Sequence, residues 1–347
     1  MELGLFTFGD VGTNPVTGEV IDAPQRLRNL VEEIELADEV GLDVFGVGEH
    51  HRPDYAISSP AVALAAAATR TRTIRLTSAV TVLSSDDPIR VFQQFATLDG
   101  LTGGRAEITA GRGSFIESFP LFGQDLNDYE TLFTEKLDML IALNEGERLE
   151  WPGGRHTPRV DGRGVYPRPV DGTLPLWIAG GGTPNSVIRA ASLNLPLILA
   201  IIGGEPRRFA PLAEVYRQAT AARPDHDPAR MKTGISVHGY VAETRAEAME
   251  TFYLPQAEVM NRIGRERGFP PMTREHFDAM CGPNGAIFLG DPVELTDKIL
   301  AHHEIFGGLD RFLLQMAIGV IDHQKMLKAI EIFGTRVAPE VRKALAA

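Results

Sequence analysis

Eight short apolar runs recur along the chain, at residues 3–8, 43–48, 74–83, 106–110, 174–179, 195–201, 231–241 and 311–316, with helix-like stretches in the intervals. Strand-like and helix-like segments in strict alternation are the pattern of βα units and a parallel sheet. Most of these runs are apolar throughout instead of alternating, as strands buried on both faces must be. The helix-like segments span residues 24–40, 60–69, 88–101, 129–143, 184–193, 207–222, 294–306 and 323–337, and the last two bracket the eighth run. Eight such units predict an α/β fold closed as a (β/α)8 TIM barrel. Ser59-Pro60, Asp87-Pro88 and Thr183-Pro184 each set a capping residue before a proline at the first helical position.

No linker or low-complexity tract interrupts the pattern, so residues 1–347 read as one barrel domain with insertions near 145–172 and 243–291. A long connection, residues 9–23, also follows the first strand. The 243–291 insertion carries Cys281-Gly282-Pro283-Asn284-Gly285 and would suit a lid. The Ala-rich helix at 60–69 is apolar around most of its surface, which points to burial on more than one side and to a dimer contact.

Composition removes several classes of function. With 34 Lys and Arg against 46 Asp and Glu, the net charge of −12 repels a phosphate backbone, so no nucleic-acid partner is expected. The start, Met1-Glu2-Leu3-Gly4-Leu5-Phe6, lacks a basic n-region, and the longest strongly apolar run, 195–202, is too short to cross a bilayer. A single cysteine, Cys281, offers no internal disulfide, and a cytoplasmic setting is the expectation.

Chemistry concentrates at the carboxyl ends of the predicted strands, where α/β barrels bind ligands. Strand two runs Val44-Phe45-Gly46-Val47-Gly48 and stops at Glu49-His50-His51. Regular alternation puts Gly46, Gly48 and His50 on one face, where two glycines below a histidine leave room for a flat ligand. Adjacent Glu and His are also metal-ligand types, but they point apart on one strand and no second His or Asp cluster completes a set, so no metal is expected. Strand four ends in Ala110-Gly111-Arg112-Gly113-Ser114, where glycines let an anion approach the guanidinium closely. Strand five ends in Gly180-Gly181-Gly182 and enters a helix at Thr183, which brings unobstructed amides to the positive end of a helix dipole. Arg112 and this turn lie on neighbouring strands and are expected to meet one phosphate. Gly46-Val47-Gly48-Glu49-His50-His51 has a histidine where a dinucleotide fingerprint needs its third glycine, and there is no Gly-Lys-Ser/Thr P-loop. A mononucleotide fits better than a dinucleotide.

With these residues in place, nearly the whole chain resembles the bacterial luciferase-like family of flavin-dependent monooxygenases. The resemblance rests on Glu49-His50-His51 with Gly111-Arg112-Gly113, and extends through Leu3-Gly4-Leu5-Phe6, residues 37–51, residues 71–90 with Asp87-Pro88-Ile89-Arg90, Leu98-Asp99, Gly103-Gly104-Arg105, residues 175–183 and Gly290-Asp291-Pro292. It implies that His50 is the catalytic histidine beside the flavin C4a position, and that Ala79-Val80 forms a non-proline cis peptide under the isoalloxazine. It further implies that Arg112 contacts the FMN phosphate and that Gly180, Gly181, Gly182 and Thr183 form the phosphate turn. Where the family carries an acidic residue and a serine in that turn this chain has glycines, so backbone amides are expected to replace side chains. Gly111 stands where light-emitting members have a reactive cysteine and Ile201 where they have a tryptophan, so light emission is not expected.

The activity implied is oxygenation of a small organic substrate, an aldehyde or other carbonyl compound, by reduced FMN and O2. A separate flavin reductase would supply the cofactor, the lid would exclude water, and the protein would be a homodimer or higher homo-oligomer. Two alternatives stand beside it. One is a deazaflavin (F420)-dependent hydride-transfer oxidoreductase of the same superfamily, the other a non-catalytic FMN-binding relative.

Overall fold

The computed structural model describes residues 1–113 and 115–346; Ser114 of the strand-four motif lies outside the described residues. The barrel strands are β1 (Glu2–Thr7), β2 (Val44–Val47), β3 (Arg75–Ser78), β4 (Ala106–Gly111), β5 (Leu176–Gly180), β6 (Leu197–Ile201), β7 (Thr233–Val241) and β8 (Arg311–Gln315). Each pairs in parallel with the next, and β8 returns to β1 from Glu2↔Arg311 to Leu5↔Leu314, so the sheet closes without an edge.

Burial divides into two cores because every strand has two faces. Outward residues meet the helices in one large cluster that includes Leu3, Leu5, Phe45, Val47, Leu76, Ile108, Ile235 and Phe312. Inward residues Phe6, Val44, Trp177, Ile198 and Leu313 fill the barrel itself. At the amino-terminal end Arg311, 1% exposed, closes the floor. Its guanidinium pairs with Glu107 (Nη2 to Oε2, 3.0 Å), donates to Glu2 Oε2 at 2.7 Å and lies 4.1 Å from the Trp177 ring centre. A buried arginine is tolerable only when its charge and donors are met this fully.

The structure departs from the sequence expectations in four places. The single run at 74–83 is divided into Arg75–Ser78 and Thr81–Val82; the cis peptide at Ala79-Val80 between them is the one the resemblance implied. An extra strand, Ile287–Gly290, lies inside the second insertion and pairs with the carboxyl half of β7, which is nine residues long and outruns its barrel neighbours. Of the three expected proline-flanked caps only Asp87 accepts a helix amide, from Arg90 at 2.9 Å; Ser59 and Thr183 make no capping bond. Gly46 and Gly48 do not leave ligand space, because a Cβ on Gly46 would come within 2.8 Å of the Ala79 Cβ, and one on Gly48 within 2.3 Å of the Phe8 ring and 2.6 Å of the Ala79 carbonyl oxygen. These glycines instead admit neighbouring protein atoms.

Residues 145–172 carry a β-hairpin, Arg148–Trp151 against Val160–Gly164. The 243–291 region is mostly helix, Arg245–Arg267 and Arg274–Met280. Helix Pro60–Ala68 buries Pro60, Ala61, Leu64, Ala67 and Ala68 but leaves Val62 67% exposed on the single chain. Among the described residues no helix is long and apolar enough to cross a membrane.

Candidate active site

The carboxyl ends of the barrel strands open into a cavity of ≈ 470 Å³. His50, Ala79, Val80, Arg112, Gly180 and Gly181 all line it, whereas Gly182 and Thr183 do not. Regular pairing of β2 ends at Val47, so alternation lapses beyond it and both Glu49 and His50 reach the cavity. The His50 ring is held among aromatics, with centres 4.6 Å from Phe8, 4.5 Å from Tyr55 and 4.8 Å from Phe115. Its Nδ1 sits 3.4 Å from Glu117 Oε1, which also accepts from the His51 amide at 3.4 Å. Burial alone would raise the Glu117 carboxyl, but the His50 and backbone contacts outweigh it and hold the group below its ordinary range. An ionised Glu117 accepts a hydrogen bond from a protonated Nδ1 and so orients the His50 ring. Glu49, raised by burial, faces His51 at 3.4 Å, and that contact raises the His51 imidazole.

The second polar corner forms where β4 and β5 end. Arg112 donates from Nη2 to Ser186 Oγ at 3.0 Å, and Ser186 lies 2.9 Å from the Thr183 hydroxyl. Its Nη1 pairs with Glu130, which also binds Arg189 at 3.1 Å, and the guanidinium rests 5.2 Å from the Tyr129 ring centre. Gly182 takes φ 96°, and a Cβ there would meet Phe209 at 2.7 Å; open space surrounds the Cβ position of Gly181. Gly111 is required for a similar reason, since its Cβ would fall 2.6 Å from Val80. Backbone amides alone therefore do not make this corner. Ser186 and Thr183 supply hydroxyls beside the guanidinium, at the amino end of helix Pro184–Ser192, whose dipole adds positive potential. Ser186 was not among the expected site residues, yet its place one turn into that helix, three residues after Thr183, was visible in the sequence.

The far wall was also not anticipated. Asp10, His238 and Gln315 bring polar groups to it, and helix Arg245–Arg267 adds Val259, Met260 and Ile263 as an apolar cover. This helix lies within the 243–291 insertion and is the part of it that lines the cavity; none of residues 281–285 does, and Cys281 is buried. The helix is clamped to the segment after β2 by Arg52 with Glu266 (Nη1 to Oε2, 2.8 Å) and by Arg262 with Asp54 (2.9 Å). Burial pushes the Asp10 carboxyl up to about 7, against the Gly319 amide and the charges of Arg26 and Arg262. It also pushes His238 down to about 4.

One guanidinium and two hydroxyls at a helix amino end suit a single phosphate, and the attached cavity, mostly apolar, suits a flat ring. The residues present thus fit a flavin mononucleotide. The family described as luciferase-like monooxygenase matches residues 1–307. The 4-hydroxyprotoasukamycin monooxygenase of Streptomyces nodosus subsp. asukaensis is 28% identical over 336 residues, 91% of this chain and 88% of that one. The oxygenating constituent of 3,6-diketocamphane monooxygenase from Pseudomonas putida, solved with FMN, has the same fold at TM-score 0.75 and 20% identity, over 98% of this chain and 99% of that one. So does an F420-dependent secondary alcohol dehydrogenase, at TM-score 0.74 and 18% identity over 98% and 99%. The chain belongs to the luciferase-like monooxygenase family.

Proposed function

We propose that this protein is a monooxygenase that uses reduced FMN and O2 to oxygenate a small organic substrate, with aldehydes and other carbonyl compounds as the first class to try. The observation that carries the reading is that His50 and the Arg112 corner open on one cavity. When bound, the reduced flavin supplies the electrons by which one oxygen atom enters the substrate and the other leaves as water.

The chain's own residues do the rest. Arg112, Thr183 and Ser186 bind the phosphate, with Glu130 giving up its place on the guanidinium. Ala79-Val80 forms the floor on which the ring rests. His50, oriented through Nδ1 by Glu117, accepts or returns a proton at Nε2. The clamped helix Arg245–Arg267 keeps water from the reacting centre. The chain carries no nicotinamide fingerprint, which supports supply by a separate reductase; the exposed Val62 on helix Pro60–Ala68 supports a homodimer, and the lone cysteine a cytoplasmic setting.

The second reading, hydride transfer by F420, is favoured by the like fold of the F420-dependent dehydrogenase. An oxygen electrode separates the two. With chemically reduced FMN and a panel of aldehydes and ketones, oxygen uptake should accompany incorporation of label from isotopic O2 into product. Reduced F420 turning over without oxygen, and no labelled product with FMN, would replace the first reading by the second. FMN binding with no turnover under either condition would leave the non-catalytic relative.

A further inference from the structure

The flavin reading gives the Arg112 corner and the Ala79-Val80 floor to the cofactor, and the role of the opposite wall rests on that reading. This wall faces whatever is oxidised, and much of it is apolar, with Ile202, Met260 and Ile318 among its residues. Besides Asp10, its polar groups include a pair on adjacent strands. His238 of β7 and Gln315 of β8 are direct register partners, both line the cavity, and they are 8% and 3% exposed. Behind them Gln256, wholly buried on the lid helix, places its Nε2 3.4 Å from His238 Nδ1.

Two buried acceptors in this cluster have no partner: Gln315 Oε1 and Gln256 Oε1. A polar atom buried without a hydrogen bond is costly, and a native structure that retains one at a cavity wall has a use for it. The Gln256 amide donating to Nδ1 puts the His238 proton on Nε2. The pair therefore combines one donor, His238 Nε2–H, with one unpartnered acceptor, Gln315 Oε1, on two residues that line the cavity.

We propose that His238 and Gln315 form a substrate-recognition site for a neutral hydroxyl, alcoholic or phenolic, carried on an apolar skeleton. A hydroxyl satisfies both groups at once, accepting from His238 and donating to Gln315. A ketone would leave Gln315 Oε1 unpaired. A carboxylate would face that same oxygen, with Asp10 on the same wall. Burial keeps His238 uncharged at neutral pH, so it provides no counter-ion for an acid.

The test is equilibrium binding of 2-naphthol, naphthalene and 2-naphthoate to the full chain, followed by probe fluorescence, with and without FMN. Wild type should bind 2-naphthol tighter than either analogue by about tenfold or more. Gln315→Leu should erase that preference while keeping the naphthalene and FMN affinities. Gln315→Met provides the same reading should the leucine variant fail to fold. Equal binding of the three probes by wild type, a preference that survives both substitutions, or a fall in FMN affinity alongside the preference would overturn the assignment. Failure of wild type to bind FMN sinks the flavin reading instead, and the naphthol preference measured without FMN still decides this one.

Discussion

Arg112→Ala and Glu130→Gln should move FMN affinity in opposite directions. The Arg112 side chain is 21% exposed, bonded through Nη2 to Ser186 at 3.0 Å and packed against Tyr129, so the guanidinium is already held at the corner before any anion arrives. Charge-assisted hydrogen bonds contribute about 1.5–3 kcal/mol. Losing them should weaken Kd by about 10- to 150-fold. Glu130 is 60% exposed and competes for the same guanidinium. A pair that open to solvent is worth about 0.2–1 kcal/mol, so neutralising it should tighten FMN by at most about fivefold. Titration of the flavin-free protein with FMN, read by flavin fluorescence quenching at two ionic strengths, measures both. Wild type should lose affinity with salt more steeply than Arg112→Ala. An unchanged Kd in Arg112→Ala, or weakening by Glu130→Gln, would refute the phosphate assignment.

His50→Ala should cut turnover by about 10²- to 10⁴-fold with FMN affinity retained, measured by oxygen uptake beside the same titration. Asp10 contributes a pH dependence whose sign is fixed by its raised folded value, about 7 against 3.8. The folded state keeps a proton that the unfolded chain releases above pH 3.8, so this stability is full at acid pH and lost as pH rises through about 7. Its size is on the order of 4 kcal/mol. Asp10→Asn, which keeps the Gly319 contact without the charge, should therefore flatten the fall between pH 5 and pH 8 in urea unfolding; parallel slopes for the two proteins would count against it. Glu107→Ala removes the buried one of the two carboxylates that meet Arg311, leaving Glu2, and should cost up to about 3–5 kcal/mol by the same assay, with FMN affinity in the surviving folded protein unchanged.

The sequence alone determined the barrel, because eight apolar runs separated by helices leave little choice of topology, and all eight barrel strands overlap the predicted runs. It also located His50 and Arg112, since polar residues that end an apolar strand announce themselves locally. What it could not decide depends on which atoms meet across strands. Nothing local indicates that the space beside Gly46 and Gly48 belongs to Phe8 and Ala79, or that Gly111 yields to Val80. The same holds for the far wall: His238 and Gln315 are far apart in the chain and become a pair only through the register of β7 on β8. Ser186 and Glu130 likewise gain meaning from the position of one guanidinium. Periodicity is a property of neighbours along the chain, whereas the filling of a cavity is settled by packing between segments that the chain keeps far apart.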